Sequence, residues 1–374
     1  MKIAIITDRI YPLYLGGYEI LLYQIATGLS SDHTIDVFTA VPDKKVPVTS
    51  FRLVKVSPDY KFVNRKNVHN ISDSVKFNFH IKHHMKEINE YDVAILSTIP
   101  YYGYGSLLEG IKIHKISIFY EAWYEYLRVL NPAIRLLLPR EIKRIVRNSD
   151  SIIAISKTTA NSLIKNYGGT NVHVIPMGIE SIKEYGSSEK TYDIGYIGRF
   201  SEIKHIDHIL YAASKLKAIF PDIRIGLAGD GPLMSSVKEK TYKLGLEKHV
   251  EFPGRLDGEK KYEFLRSIKI FIMPSEREGF SMSTLEAMSC GAVPVVAEPK
   301  YSEVFGVSDF VINGVTGLYY PFGLINKLTE NIKVLMTGKD QLSAMSKNAM
   351  ESSKKYTWNR IVEQYNELIQ RFLG

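Results

Sequence analysis

Short apolar runs alternate with helical patterns from one end of the chain to the other, and this alternation narrows the possible folds more than any other feature. In the first half the runs are Lys2–Thr7, Thr34–Thr39, Phe51–Val56, Val93–Ser97, Lys115–Tyr120, Ser151–Ile155 and Val172–Pro176. They are short and mostly rich in Ile and Val, as strands covered on both faces are. Helical patterns lie between several of them, for example Glu19–Leu29, Ser72–Ile88 and Pro132–Arg147, and Pro139 is expected to kink or break the last. Repeated strand–helix–strand order predicts a parallel sheet with helices on both faces. Around Met177–Lys190 the apolar periodicity stops, and Ser181, Gly186, Ser187 and Ser188 read as a linker. A second series then begins. Its strands are expected at Tyr192–Ile197, Ile223–Ala228, Val250–Phe252, Lys269–Met273 and Val293–Ala297. Its helices are expected at His205–Phe220, Pro232–Leu244, Glu259–Arg266, Ser283–Met288, Leu324–Met336 and Gln341–Lys354, followed by an amphipathic segment at Trp358–Leu373. The predicted class is α/β, with two doubly wound Rossmann-like domains over 1–180 and 181–356 and a last helix over 357–374. Ligands in such sheets bind outside the carboxyl ends of strands, so two facing domains are expected to hold a site in the cleft between them.

A length of 374 residues, 45% hydrophobic and 24% charged, fits two globular domains. No apolar run reaches the roughly 18 residues that span a bilayer. Met1-Lys2 leads directly into the strand-like Ile3-Ala4-Ile5-Ile6, without a signal-peptide pattern, so cytoplasmic residence is the expectation. The single cysteine, Cys290, excludes an internal disulfide and a cysteine metal cluster. The net charge of +8 is uneven: residues 51–147 hold 16 Lys/Arg against 9 Asp/Glu. This stretch places Lys61, Arg65, Lys66, Lys76, Lys82 and Lys86 among Phe62, Phe77 and Phe79. It also carries Arg135-Leu136-Leu137-Leu138-Pro139-Arg140 and Lys143-Arg144. Basic groups beside aromatics and leucines suit an anionic membrane surface or a phosphorylated lipid. An ordinary basic surface is the other main reading. Nucleic acid is a lesser one, with no zinc-finger spacing or RNA-recognition motif to favour it. His80, His83 and His84 have the spacing of a metal-facing helix, but no carboxylate completes a set, and a surface role is expected.

The stretch from Glu278 to Met288 carries the most chemistry. The apolar run Ile268–Pro274 reads as a buried strand; a turn through Gly279, Phe280, Ser281 and Met282 follows, and a helix then holds Glu286. A helix opening presents unpaired N–H groups and suits a diphosphate. Carboxylates repel phosphate but accept hydrogen bonds from hydroxyls, so Glu278 and Glu286 point to a polyol. Phosphate beside polyol is the make-up of a nucleotide sugar; the plain alternative is a capped helix with two solvated acids.

Another strand is expected to end at Ile197, followed by Gly198-Arg199-Phe200-Ser201-Glu202-Ile203-Lys204. Arg199 offers a rigid fork for phosphate oxygens and Lys204 a mobile point charge. Fixed cations stabilise the charge that grows on a departing diphosphate. A metal could serve instead, but no Asp-x-Asp pair is present to hold one, and no metal is expected. Gly229-Asp230-Gly231-Pro232 reads chiefly as a tight turn into a helix. Gly16-Gly17 precedes a helix and would let backbone approach a ligand, though a plain turn explains it equally well. The dinucleotide fingerprint G-x-G-x-x-G is absent, against a nicotinamide enzyme.

Together these pieces resemble the retaining glycosyltransferases of family 4, of GT-B architecture. The resemblance rests on Gly16-Gly17, on Val174-Ile175-Pro176-Met177-Gly178-Ile179-Glu180, on Gly198-Arg199-Phe200 with Lys204, and on Gly229-Asp230-Gly231-Pro232. It continues through Glu278, Glu286-Ala287-Met288, Gly291-Ala292-Val293-Pro294-Val295-Val296 and Tyr356-Thr357-Trp358. It implies an acceptor-binding first domain, a nucleotide-sugar-binding second domain and a last helix that crosses back to the first. Arg199 and Lys204 would hold the donor diphosphate, Glu286 the ribose and Glu278 the transferred sugar. Backbone N–H groups near Phe280–Met282 would meet sugar or phosphate, and Gly16 and Gly17 would let a loop reach the donor. The implied partners are a nucleotide-sugar donor and a glycan or lipid-linked acceptor, with no cofactor. Four departures stand out. Tyr120, in Phe119-Tyr120-Glu121-Ala122-Trp123, stands where the family has a histidine, with Glu121 a possible substitute. Met177 replaces a common asparagine, and His205 a common glycine. Lys300-Tyr301-Ser302 replaces the usual Gly-Gly before Glu303. Two rivals stay open: a donor-binding protein that has lost catalysis, and a nucleotide-sugar epimerase or a phosphorylase on the same architecture.

Overall fold

The computed structural model describes residues 1–14, 16–41, 48–57, 71–98, 103–121, 124, 127, 132–181, 190–301 and 304–372. The chain divides into two compact units, Met1–Gly178 with Trp358–Gly374, and Ile179–Thr357. Most of the linker expected around Met177–Lys190, and Lys61, Phe62, Arg65 and Lys66 of the basic stretch, lie outside the described residues.

In the first unit, seven strands alternate with helices among the described residues: β1 (Lys2–Ile6), α1 (Gly17–Leu29), β2 (Thr34–Ala40), β3 (Arg52–Ser57), α2 (Ile71–His83), α3 (Met85–Ile88), β4 (Val93–Ser97), α4 (Tyr104–Gly110), β5 (His114–Phe119), α5 (Pro132–Asn148), β6 (Ser151–Ala154), α6 (Lys157–Tyr167) and β7 (Val172–Val174). All pairings are parallel, in the order β3-β2-β1-β4-β5-β6-β7. Ile3, Ala4, Ile5 and Ile6 of β1 are fully buried, as a central strand covered on both faces requires. The predicted helix over Ser72–Ile88 is two helices parted at His84. α5 runs through Pro139 unbroken, with Leu138, Ile142, Ile145 and Val146 packed into the core. Burial of that face outweighs the hydrogen bond that proline omits.

The second unit continues with β8 (Tyr192–Ile197), α7 (Asp207–Leu216), β9 (Ile225–Ala228), α8 (Met234–Lys243), β10 (Val250–Gly254), α9 (Gly258–Arg266), β11 (Ile268–Met273), α10 (Met282–Ser289), β12 (Val293–Glu298), β13 (Leu318–Pro321), α11 (Ile325–Thr337) and α12 (Lys339–Ser353). Its parallel order is β10-β9-β8-β11-β12-β13. β13 is absent from the sequence expectation: Leu318-Tyr319-Tyr320-Pro321 is too short to show a period, and it is an edge strand in which Pro is tolerated.

The last helix, α13 (Trp358–Gln370), belongs to the first unit. It buries Trp358, Ile361, Tyr365, Leu368 and Ile369 and packs on α1. Gly28 of α1 permits this approach, since a Cβ there would stand 2.6 Å from the Val362 methyls. Asn366 Oδ1 lies 2.8 Å from His33 Nε2 and fixes the helix at a second point.

Candidate active site

In the second unit the strand order reverses between β8 and β11, and ligands of doubly wound sheets bind at the carboxyl ends of such a pair. The residues singled out in the sequence leave these two strands. β8 ends at Ile197 and releases Gly198 and the exposed Arg199; a 3₁₀ turn, Glu202–Lys204, then carries Lys204. β11 ends at Met273 and releases the loop of Glu278. The Glu276 N–H donates to the Ile203 carbonyl at 2.9 Å and ties the two loops together. Glu278 is itself fixed: its N–H donates to Val304 O at 3.0 Å, and its carbonyl accepts from Gly306 N–H at 2.9 Å. Lys204 Nζ forms an ion pair with Glu278 Oε1, both side chains being largely buried. The ring of Tyr196 lies beneath; burial pushes its phenol well up, and the Glu278 carboxylate adds to the rise.

Gly229-Asp230-Gly231 seats the Arg199 loop. Phe200 N–H donates to Asp230 O at 2.9 Å, and Gly198 N–H to Ala228 O at 3.1 Å. Gly229 and Gly231 have φ of +134° and +156°, and a Cβ on them would run into the Gly198 carbonyl and the Phe200 backbone. Only glycine lets these loops touch. His205 also sits in the left-handed region, at φ 40° and ψ 48°. That conformation is the physical reason a glycine suits the position. The imidazole is placed 3.7 Å from Glu276 Oε2 and packs on Phe322.

After Gly279 and Phe280, both buried, the chain enters α10 through Ser281, a non-glycine residue at φ 74°. Its hydroxyl lies 2.8 Å from Thr284 Oγ1. The first-turn N–H groups from Met282 onward are those a helix start offers to an anion. One turn on, Glu286 is buried beneath the helix, and its Oε1 accepts from Lys261 Nζ of α9 at 2.6 Å. Burial pushes this carboxyl up; Lys261 pulls it back, and Glu180 adds a smaller upward push. Each of the two glutamates thus faces a lysine of the same unit.

The first unit has its own reversal, between β1 and β4. There Asp8 is fully buried just past β1, with Arg9 Nε 3.7 Å away. Arg9 also faces Glu19 at 3.5 Å and donates to the Tyr18 hydroxyl. Burial pushes Asp8 up to about 7 against the pull of Arg9, and Glu19 adds to the rise. Gly16 caps α1 with an extended backbone, and a Cβ there would run into the Glu19 carboxylate, which folds back over the helix start. Gly17 is exposed at the first helical position. Tyr120, just past β5, is buried with its ring 5.5 Å from that of Tyr18. Burial drives its phenol far above the usual range against the pull of the Ser97 hydroxyl, and Glu19 and Asp8 drive it further. Glu121 is described; Ala122, Trp123, Ser302 and Glu303 lie outside the described residues.

The structure therefore joins Lys204 to Glu278, sets Arg199 on the same loop as Lys204, and places Glu286 on the adjoining helix. It also shows four residues that the sequence reading left out: Asp8, Arg9, Tyr18 and Lys261. A signal existed for the first two, because polar residues directly after the apolar run Ile3–Ile6 stand where such sheets hold ligands. Nothing in the sequence couples Lys261 to a carboxylate 25 residues on.

Comparison with known proteins covers both units. A model described as Glycosyltransferase Family 4 matches residues 15–181, and one described as Glycosyl transferases group 1 matches residues 179–352. An uncharacterized glycosyltransferase, MJ1178 of Methanocaldococcus jannaschii, is 32% identical over 216 residues, 58% of each chain. The chain spans 58, 24 and 47% of the length of the first relatives it matches. Among solved structures, sucrose-phosphate synthase from Thermosynechococcus elongatus superposes with a TM-score of 0.80 at 18% identity, over 100% of this chain and 99% of that one. Anabaena Alr3699/HepE, in complex with UDP and glucose, superposes with a TM-score of 0.74 at 18% identity, over 99 and 100%.

Proposed function

The chain belongs to glycosyltransferase family 4 and has the GT-B fold, and on that premise we propose that it moves a hexose from a nucleoside-diphosphate sugar to an acceptor hydroxyl with retention of anomeric configuration. The observation that carries the donor reading is the meeting of Lys204 and Glu278 at the β8/β11 reversal, with Arg199 on the same loop. A donor diphosphate exchanges the Glu278 partner of Lys204 for its own oxygens, and Arg199 adds a bidentate contact. Glu278, released, accepts hydrogen bonds from the sugar hydroxyls, and Glu286 accepts from the ribose. First-turn N–H groups of α10 complete the anion site. When the sugar–phosphate bond breaks, its electron pair stays on the diphosphate, where the two cations hold the charge. They do the work a divalent metal does elsewhere, so the reading includes metal independence. Anomeric retention is tested by following the product's anomeric proton coupling by NMR, and metal independence by a rate unchanged in excess chelator. An inverted product, or loss of activity on chelation, would refute the respective element.

The acceptor proposed is a lipid-linked or membrane-proximal glycan. α5 exposes Leu136 and Leu137 beside Arg135, Arg140 and Lys143, and α2 exposes Val75 and Phe79 beside Lys76 and Lys82. Such a mixture favours an anionic bilayer surface. Among the described residues no helix is long and apolar enough to cross a membrane, and the contact proposed is peripheral. Tyr120 favours a second reading, a donor-binding protein without transfer: a buried phenol cannot relay a proton near neutrality as an imidazole does. Donor binding with neither transfer nor hydrolysis across an acceptor panel would establish that reading instead.

A further inference from the structure

Glu286 is the carboxylate to which the proposed function gives the ribose, yet its immediate partner is a lysine from another helix. Lys261 stands in the first turns of α9 (Gly258–Arg266) and reaches Glu286 of α10 at 2.6 Å. Its ammonium lies 4.8 Å from the centre of the Tyr262 ring, so the side chain is held at two points. The ion pair uses Oε1 of Glu286. The lysine side chain keeps 25% of its exposure and the glutamate only 8%, so the carboxylate is the more deeply buried of the pair.

We propose that Lys261 is a positioning residue of the donor site: it grips Glu286 by Oε1 and so presents Oε2 to a single hydroxyl of a ribonucleoside diphosphate. This inference rests on the ribose assignment of Glu286. Its physical reason is the cost of leaving a buried carboxylate without a cation. The groups that face Glu286 are Lys261 and Tyr262 from α9, Glu180 from the start of the unit, and Cys290 at the end of α10. Burial holds the Tyr262 phenol far up and the Cys290 thiol up at about 12, so neither changes charge near neutrality. Lys261 is the cation among them. Without it, burial and Glu180 both favour the protonated carboxyl, which accepts hydrogen bonds poorly and loses its hold on a hydroxyl.

The test is calorimetric titration of UDP, GDP and ADP into the wild type, Lys261→Met, Lys261→Arg and Glu286→Ala, at several pH values between about 6 and 8.5. The readout is the ratio of variant to wild-type Kd, which cancels the ligand's own protonation. For Lys261→Met this ratio should be about tenfold or more at the acid end and fall several-fold toward the alkaline end, as the carboxyl regains its charge. Lys261→Arg should stay near unity throughout. A ratio for Lys261→Met that is the same at every pH overturns the inference, because simple loss of a cation near an anionic ligand acts equally at all of them. If Glu286→Ala binds as the wild type does, the ribose assignment itself fails. If Glu286→Ala weakens binding while the Lys261→Met ratio stays flat, the assignment stands and only the role of Lys261 is lost.

Discussion

Replacing Asp8 by Asn should stabilise the first unit in mildly alkaline buffer and change it little in acid. Asp8 is fully buried and its carboxyl is raised from 3.8 to about 7. The folded state therefore holds a proton that the unfolded chain has released over that window. Stability falls as pH rises from about 4 to about 7, where the native state binds more protons than the unfolded one, and above that the penalty is constant. At about 1.4 kcal/mol per pH unit, the full penalty is on the order of 4 kcal/mol. Asn cannot ionise, so Asp8→Asn removes the penalty above neutrality, less whatever its amide loses by burial. Arg9, Glu19, Tyr18, Tyr104 and Tyr120 face the same spot and remain in both proteins, so the difference between variant and wild type isolates Asp8. The chain has two tryptophans, Trp123 and Trp358, and the span Ile179–Thr357 of the second unit contains neither, so tryptophan fluorescence reports the unfolding of the first unit. Urea titrations at about pH 5 and pH 8 should show the stability gain growing by about 3 kcal/mol between them. A difference between variant and wild type that is equal at both pH values, whatever its sign, would show that Asp8 is ordinarily charged in the fold and refute the reasoning.

Arg199→Ala and Lys204→Ala should each lower kcat/KM by about 3 kcal/mol, roughly a hundredfold, through weaker leaving-group stabilisation; normal steady-state turnover would exclude that role. Glu286→Ala should raise the Kd of a nucleoside diphosphate with little effect on the melting temperature of the free protein; unchanged affinity would exclude the ribose contact. His205→Gly should melt above His205→Ala by an amount on the order of 1 kcal/mol, because both lose the ring and only glycine accepts the left-handed backbone freely; equal melting of the two would contradict it. Anionic vesicles should co-sediment the protein more than neutral ones do, and Leu136→Ser with Leu137→Ser should abolish the difference; equal binding to both lipids by the wild type would remove the membrane element.

The architecture was legible because central parallel strands are buried on both faces, and continuous apolar runs such as Ile3–Ile6 and Ile270–Met273 write that burial directly into the sequence. β13 escaped because four residues at a sheet edge carry no period, and α5 escaped the break expected at Pro139 because a packed face compensates for a missing hydrogen bond. The site was legible in proportion to how locally it is built. Arg199 and Lys204 follow one strand, Glu278 and Glu286 another, so a strand–loop–helix reading finds each pair. What it cannot find is the partner brought from elsewhere. Lys204 meets Glu278 across 74 positions, and Lys261 meets Glu286 from a different helix. The strand order reverses between β8 and β11, and that reversal leaves a crevice into which both loops can open. Whether charges at such loops meet is therefore decided by topology, and the Lys204–Glu278 pair is a property of the sheet order before it is a property of any motif.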